Sequence, residues 1–163
     1  MAKEKKIKTN AMRMLDREKV SYQVYEYDHQ GPVDGVAVAT QLQEPLEMVY
    51  KTLVTKGKSG NYFVFVIPVA EELNLKKAAS VVGEKSVEMI PVKEIFTVTG
   101  YIRGGCSPIG MKKLYTTVIQ QDASKLASII VSGGKIGTQI QLSPYLLQNM
   151  IHATMADIIE ERN

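Results

Sequence analysis

The chain's one thiol, Cys106, lies in the stretch Thr99-Gly100-Tyr101-Ile102-Arg103-Gly104-Gly105-Cys106-Ser107-Pro108-Ile109-Gly110-Met111-Lys112-Lys113, which holds four glycines. Turn formers are too dense there for a regular helix or strand. Paired glycines before Ser-Pro let backbone N–H groups approach a ligand closely, so the stretch reads as a binding loop. Amides around a thiol can lower its pKa and make it a nucleophile for acyl transfer. That chemistry needs a base. The two histidines, His29 and His152, are remote in sequence and carry no local signature. A small buried hydrophobe is the commoner role of a lone cysteine.

Lys51 is the second chemically interesting residue. It interrupts Val49-Tyr50-Lys51-Thr52-Leu53-Val54-Thr55-Lys56, a run of β-branched and aromatic residues. A lysine in such a strand is rarely buried without a partner. It either carries its ammonium to solvent along the apolar stem or sits partly desolvated. In the second case it would bind phosphate or carboxylate, or polarise a carbonyl.

Several function classes are disfavoured. No His/Cys cluster has metal-ligand spacing, and a single cysteine excludes an internal disulfide. Neither glycine-rich stretch has the spacing of a phosphate-binding P-loop or a dinucleotide fingerprint, so no cofactor is expected. No run approaches 18 apolar residues and no apolar segment follows Met1-Ala2-Lys3, which reads as a cytoplasmic protein with no membrane partner. The 163 residues carry 20 Lys+Arg against 17 Asp+Glu, a formal charge of +3. That excess permits a polyanionic partner without requiring one. The run Lys3-Glu4-Lys5-Lys6-Ile7-Lys8 reads as a solvated terminus, with phosphate contact as the alternative.

The elements that must position these residues follow from pattern. Thr9 or Asn10 caps a short amphipathic helix carrying Ala11, Met12 and Leu15. Residues 21–27 alternate as a strand with Tyr22, Tyr25 and Tyr27, the last two on one face. Asp28-His29-Gln30-Gly31-Pro32 is a loop, and Asp34 caps a helix with Val36, Ala37, Val38 and Leu42. Residues 49–56 and 62–68 flank a Gly/Asn turn and form a hairpin near the sheet centre. Asn74 caps a helix that Gly83 ends. Residues 87–89 are a short strand, and Pro91 opens a helical turn into the glycine loop. Strands at 115–119 and 128–131 follow, then a second glycine loop, Ser132-Gly133-Gly134-Lys135-Ile136-Gly137, and a strand at 138–142. Ser143-Pro144 starts a helix through Ile151; residues 155–159 are a short strand or helix. About seven strands with four short helices predict one α+β (mixed α/β) domain over residues 1–163. The two glycine loops are expected to line one rim.

In order along the chain, Tyr27-Asp28-His29, Tyr50-Lys51-Thr52-Leu53, Leu73-Asn74-Leu75-Lys76-Lys77-Ala78-Ala79, Thr99-Gly100-Tyr101 with Gly104-Gly105-Cys106-Ser107-Pro108-Ile109-Gly110, and Ser132-Gly133-Gly134-Lys135 together resemble the YbaK/EbsC family of aminoacyl-tRNA editing proteins. That family is related to the inserted editing domain of bacterial prolyl-tRNA synthetases. The resemblance runs from about residue 9 to residue 159 and points to the YbaK-type branch of free-standing Cys-tRNA(Pro) deacylases. It implies a small mixed sheet curled into a barrel with helices around it. It also implies removal of cysteine mischarged on proline tRNA, with looser action on Cys-tRNA(Cys). The essential lysine of the family falls on Lys51. The loop motif falls on Gly104, Gly105, Ser107 and Pro108, with backbone amides facing the ester carbonyl. The pocket tyrosines fall on Tyr27 and Tyr101; Thr52, Ser132, Gly133 and Gly134 complete the implied substrate-binding set.

The resemblance implies no enzyme nucleophile: the substrate's own thiol attacks its ester carbonyl, releasing tRNA and a cyclic thioester. Mischarged tRNA and prolyl-tRNA synthetase are the implied partners; no DNA partner is expected. Cys106 stands where relatives carry an apolar residue, and Gln139 stands where some are acidic, which leaves a carboxylate role there without its carboxylate. Three other readings remain: a deacylase for another small amino acid such as alanine on Ala-tRNA(Pro), a non-catalytic module binding aminoacyl-tRNA or a synthetase, and a Cys106-dependent hydrolase.

Overall fold

A computed structural model of the chain describes residues 8–28 and 35–161. Its helices are α1 (Asn10–Arg17), α2 (Gly35–Leu42), α3 (Leu75–Val82), α4 (Ile95–Thr99) and α5 (Pro144–Ile151). Its strands are β1 (Gln23–Glu26), β2 (Tyr50–Gly57), β3 (Tyr62–Pro68), β4 (Val87–Met89), β5 (Thr116–Gln120), β6 (Ile129–Lys135), β7 (Thr138–Leu142) and β8 (Thr154–Ala156).

The capping residues act as their types predict. Thr9, Asn74 and Ser143 each accept a backbone N–H from the first turn of α1, α3 and α5, and Gly83 ends α3 at φ 74°. The proposed cap Asp34 and the loop residues His29 to Pro32 lie outside the described residues, as does the basic terminus apart from Lys8. Lys8 pairs with Asp16 on α1.

The hairpin of β2 and β3 pairs in unbroken register from Tyr50 opposite Pro68 to Lys56 opposite Tyr62. β3 is the centre of a five-stranded sheet in the order β4-β2-β3-β5-β8. Its continuous apolar run is explained by burial on both faces. Val64 and Val66 face a core shared with α1, β6, β7 and α5, whereas Phe63, Phe65 and Ile67 pack against Ala78 and Ala79 of α3 and against Ile158 and Ile159. A second sheet, β1-β7-β6, covers the first core.

Three expectations are corrected. The alternating segment 21–27 is a strand only from Gln23 to Glu26, paired with Gln141 to Thr138; Tyr22 and Tyr27 flank it. Ser132 to Lys135 is not a loop but the end of β6. The ladder with β7 shifts register between Ser132 and Lys135, so the glycines serve a bulge within a strand. The resemblance also led us to expect a sheet curled into a barrel, and among the described residues no sheet closes. The five-stranded sheet ends on β4 and β8, both only three residues long. Among the described residues the backbones of the two sheets are joined by one parallel bridge, Val49 with Ile130, too short to propagate the staggered ladder that closure needs.

Candidate active site

Val49 and Ile130 sit where the two sheets meet, and a cavity of about 440 Å³ opens there. The start of β2 supplies Tyr50, Lys51 and Thr52; α2 supplies Gly35 and Val38; the glycine loop supplies Arg103, Gly104 and Cys106; and β6 and β7 supply Ser132 and Gln139. Tyr27 and Val69 complete the wall. Van der Waals contact fixes the α2 side: a β-carbon on Gly35 would stand 2.3 Å from Val69 Cγ1. The far end of α2 is tied to the tyrosine segment by Gln41, which accepts the Asp28 N–H and donates to its carbonyl.

Lys51 is half-buried, and loss of hydration holds its ammonium below the ordinary lysine pKa, opposed by the fields of Glu72 and Glu71. Beside it Thr52 Oγ1 is buried and, among the described residues, has no hydrogen-bond partner. A buried hydroxyl without a partner is costly, which marks it as available to a bound polar group.

The glycine loop is shaped by its own side chains. Tyr101, buried, donates its hydroxyl to Ile109 O at 2.6 Å and its backbone N–H to the Thr99 hydroxyl oxygen at 3.0 Å. Ser107 is fully buried, its Oγ accepting the Ile109 N–H at 3.3 Å. Gly105 donates its N–H to Ile102 O at 3.0 Å, closing the turn that sets Gly104 at φ 84°. Pro108 lines a separate hollow with Met14 and Met150. Gly105 also abuts the backbone of Lys135 and Ile136, where a β-carbon would come within 2.9 Å.

Of the residues singled out from sequence, Tyr27, Lys51, Thr52, Gly104 and Ser132 line the cavity. Tyr101, Gly105, Ser107, Pro108, Gly133 and Gly134 do not. Gly133 accepts the Thr9 hydroxyl, and Gly134, at φ 105°, lies against Thr9 and Tyr101. The two glycine-rich stretches therefore do share one rim. Arg103, to which the sequence assigns no role, also lines the cavity; a cation directly before Gly-Gly was the available signal. Gln139 is buried, paired in register with Tyr25 and Ser132, and lines the wall as a neutral amide.

Cys106 also lines the cavity, but burial pushes its thiol up to about 11, only partly offset by the Thr99 hydroxyl. It is neutral at physiological pH, the opposite of an activated nucleophile. His152 is exposed at the αL end of α5.

Residues 32–150 match the family described as aminoacyl-tRNA editing domain. The chain is 45% identical over 163 residues to EbsC of Enterococcus faecalis, which is named as an inferred Cys-tRNA(Pro)/Cys-tRNA(Cys) deacylase; the match covers 97% of this chain and 98% of EbsC. A stretch of 77 residues is 32% identical to a proline–tRNA ligase of Thermosipho africanus, covering 47% of this chain and 14% of the ligase. The fold is similar to the crystal structure of an inferred trans-editing enzyme for prolyl-tRNA synthetase, with a TM-score of 0.82 at 21% identity, over 96% of this chain and all of that one.

Proposed function

Because the chain belongs to the aminoacyl-tRNA editing domain family, we propose that it is a trans-editing deacylase that removes cysteine from mischarged Cys-tRNA(Pro), and also from Cys-tRNA(Cys). The observation that carries the reading is the near-full-length similarity to EbsC. The whole chain, 1–163, acts as the editing domain, in the cytoplasm where tRNA is charged.

The cavity supports a mechanism without an enzyme nucleophile. The aminoacyl group enters beside Lys51 and Thr52, and its own sulfur attacks the ester carbonyl carbon. The C–O bond to the terminal ribose breaks, the thiol proton ends on the ribose oxygen, and a four-membered cyclic thioester leaves. A wall that folds the aminoacyl group back on itself supplies proximity, worth up to about 7–11 kcal/mol in well-oriented intramolecular reactions. The Lys51 ammonium and the Thr52 hydroxyl are the donors for the developing oxyanion. The Gly105 N–H is already donated to Ile102 O, so that role falls mainly on side chains rather than on this loop amide. Tyr27 and Ser132 bound the aminoacyl group; Tyr101, Ser107, Pro108, Gly133 and Gly134 hold the rim in shape.

Deacylation assays test this directly. Cys-tRNA(Pro) is expected to be cleaved, whereas Ser-tRNA and S-methylcysteinyl-tRNA, which offer no thiol, are expected to survive. Equal rates on the methylated substrate would sink the substrate-assisted route, and preferential cleavage of Ala-tRNA(Pro) would reassign the substrate. Binding without turnover of any mischarged tRNA would make the chain a recognition module. A small, weakly basic chain has little surface for reading a whole tRNA, so prolyl-tRNA synthetase is proposed as the partner that supplies tRNA choice; the same assay with and without that synthetase reports its contribution.

A further inference from the structure

A hollow of about 140 Å³, separate from the cavity, opens where α1, the glycine loop and α5 meet. Each contributes a methionine: Met14, Met111 and Met150 are half-buried, packed on the core by one side and lining the hollow with the other. Leu114, also in the lining, is 66% exposed, the largest fraction of any big apolar side chain among the described residues. It does not ride on a loose loop. The backbone N–H of Lys112 donates to Thr99 O at 3.0 Å, that of Tyr115 to Lys113 O at 3.0 Å, and the Tyr115 hydroxyl to Val98 O at 2.6 Å, so the chain is pinned on both sides of Leu114. One turn before Met150, on the same face of α5, Leu146 is exposed too, and α5 carries no charged residue.

Size and lining together decide what fits. A small-molecule ligand is generally held in about 300–1,000 Å³, more than this hollow offers, whereas one protruding side chain needs far less. Exposed apolar side chains rimmed by polar ones mark protein interaction sites, and unbranched methionines let such a surface mould itself to a partner. Affinity for RNA is carried by phosphate contacts, which would use the lysines here and leave Leu114 and the methionines against water. Charge then gives the partner its sign. Lys112 and Lys113 belong to the lining and no carboxylate does; among the described residues neither lysine is in an ion pair. A second copy related by a two-fold axis would bring this cationic face against itself, so the face complements a different, acidic surface. The hollow and the cavity share no lining residue, so a partner seated in one does not fill the other.

We propose that this hollow docks an acidic segment of prolyl-tRNA synthetase. An apolar side chain of that segment sits between Leu114 and the three methionines, and its carboxylates meet Lys112 and Lys113. The inference rests on the deacylase reading for the identity of the partner; the apolar and acidic character of the segment comes from the hollow itself.

The test uses the full chain, its cognate prolyl-tRNA synthetase, and a photo-activatable benzophenone side chain placed at Leu114. The probe should cross-link to a synthetase peptide that carries both carboxylates and apolar residues, while the same probe at Leu75, exposed on α3, should not. Leu114→Asp should weaken synthetase binding roughly 10- to 100-fold, the effect of losing an interface anchor, with the thermal midpoint kept. Lys113→Glu should weaken it too, and wild-type binding should fall as salt rises. Neither substitution should alter cleavage of Cys-tRNA(Pro) in the absence of the synthetase. Cross-links from Leu114's position to tRNA or to a second copy of the chain, unchanged affinity of the Leu114→Asp variant, or no synthetase binding by the wild type would each overturn the docking site. The two readings fail separately. Cleavage of Cys-tRNA(Pro) without synthetase binding removes the docking site and keeps the deacylase; docking through Leu114 without cleavage of any aminoacyl-tRNA does the reverse.

Discussion

Lys51 and Cys106 were the two reactive side chains visible in the sequence, and burial separates them. Burial disfavours charge on both, with opposite consequences: the lysine becomes easier to deprotonate, while the thiol becomes harder to ionise. Lys51, at a cavity wall, should titrate below 10.5; a ¹³C-labelled lysine spectrum giving Lys51 a midpoint at or above that value would contradict the desolvated placement. Lys51→Met should lower deacylation by at least about 100-fold, the scale of losing one oxyanion donor, while the thermal midpoint stays close to wild type. Cys106→Ala should keep kcat within a few-fold, and iodoacetamide should label the native protein far more slowly than the unfolded chain. A dead but folded Cys106→Ala variant would return the thiol to the mechanism. The identity of Lys51 as the anomaly was legible from its apolar neighbours, and a lone cysteine already favoured a small buried hydrophobe at Cys106; the use of the loop amides was not legible, since amides drawn from sequence have no direction. Ile102 O, which takes the Gly105 N–H, is a contact that only the folded turn creates.

Elements were legible wherever local chemistry decides them. Thr9, Asn74, Ser143 and Gly83 cap as their types require, and the β2–β3 hairpin follows from its apolar runs and turn. Besides the over-long strand at 21–27, the misread element was 132–135, because Gly133 and Gly134 signal a loop locally while the ladder to β7 carries them through as a bulge. The barrel was misread for a related reason: strand count and family likeness do not fix whether edge strands meet, and β4 and β8 do not. The seam between the glycine loop and β6 is where these elements define the site. Gly105→Ala places a methyl within 2.9 Å of the Lys135 and Ile136 backbone, where no flexible side chain can yield. It should lower stability by about 1–3 kcal/mol, the overpacking range, and reduce kcat/KM more than Gly60→Ala in the exposed hairpin turn, which meets no atom within 4 Å. Denaturant melts and kinetics on the pair check this; equal effects on activity would mean the seam does not hold the site.

At the scale of the molecule, the same buried groups that shape the rim set its alkaline limit. Burial pushes Cys106 from 9.0 up to about 11 and Tyr101 from 10.0 up to about 12. For such acids the unfolded chain releases its proton first, so between the two pKa values the folded state binds more protons and stability falls as pH rises. The contribution of Cys106 is whole below pH 9 and is lost progressively toward about 11, at about 1.4 kcal/mol per pKa unit, so up to about 3 kcal/mol over that window. Lys51 works the other way: its folded pKa is lowered, so its burial cost is relieved as pH rises toward 10.5. Its half-buried position makes that the smaller effect. Urea unfolding from pH 8 to 11 should therefore show wild-type stability declining above pH 9. The Cys106→Ala variant should decline less steeply, the two curves converging by about 2–3 kcal/mol across the window, while at pH 7 the variant is the less stable of the two by the loss of a buried side chain. Parallel curves would show that the thiol ionises equally in both states and would return Cys106 to the candidate nucleophiles.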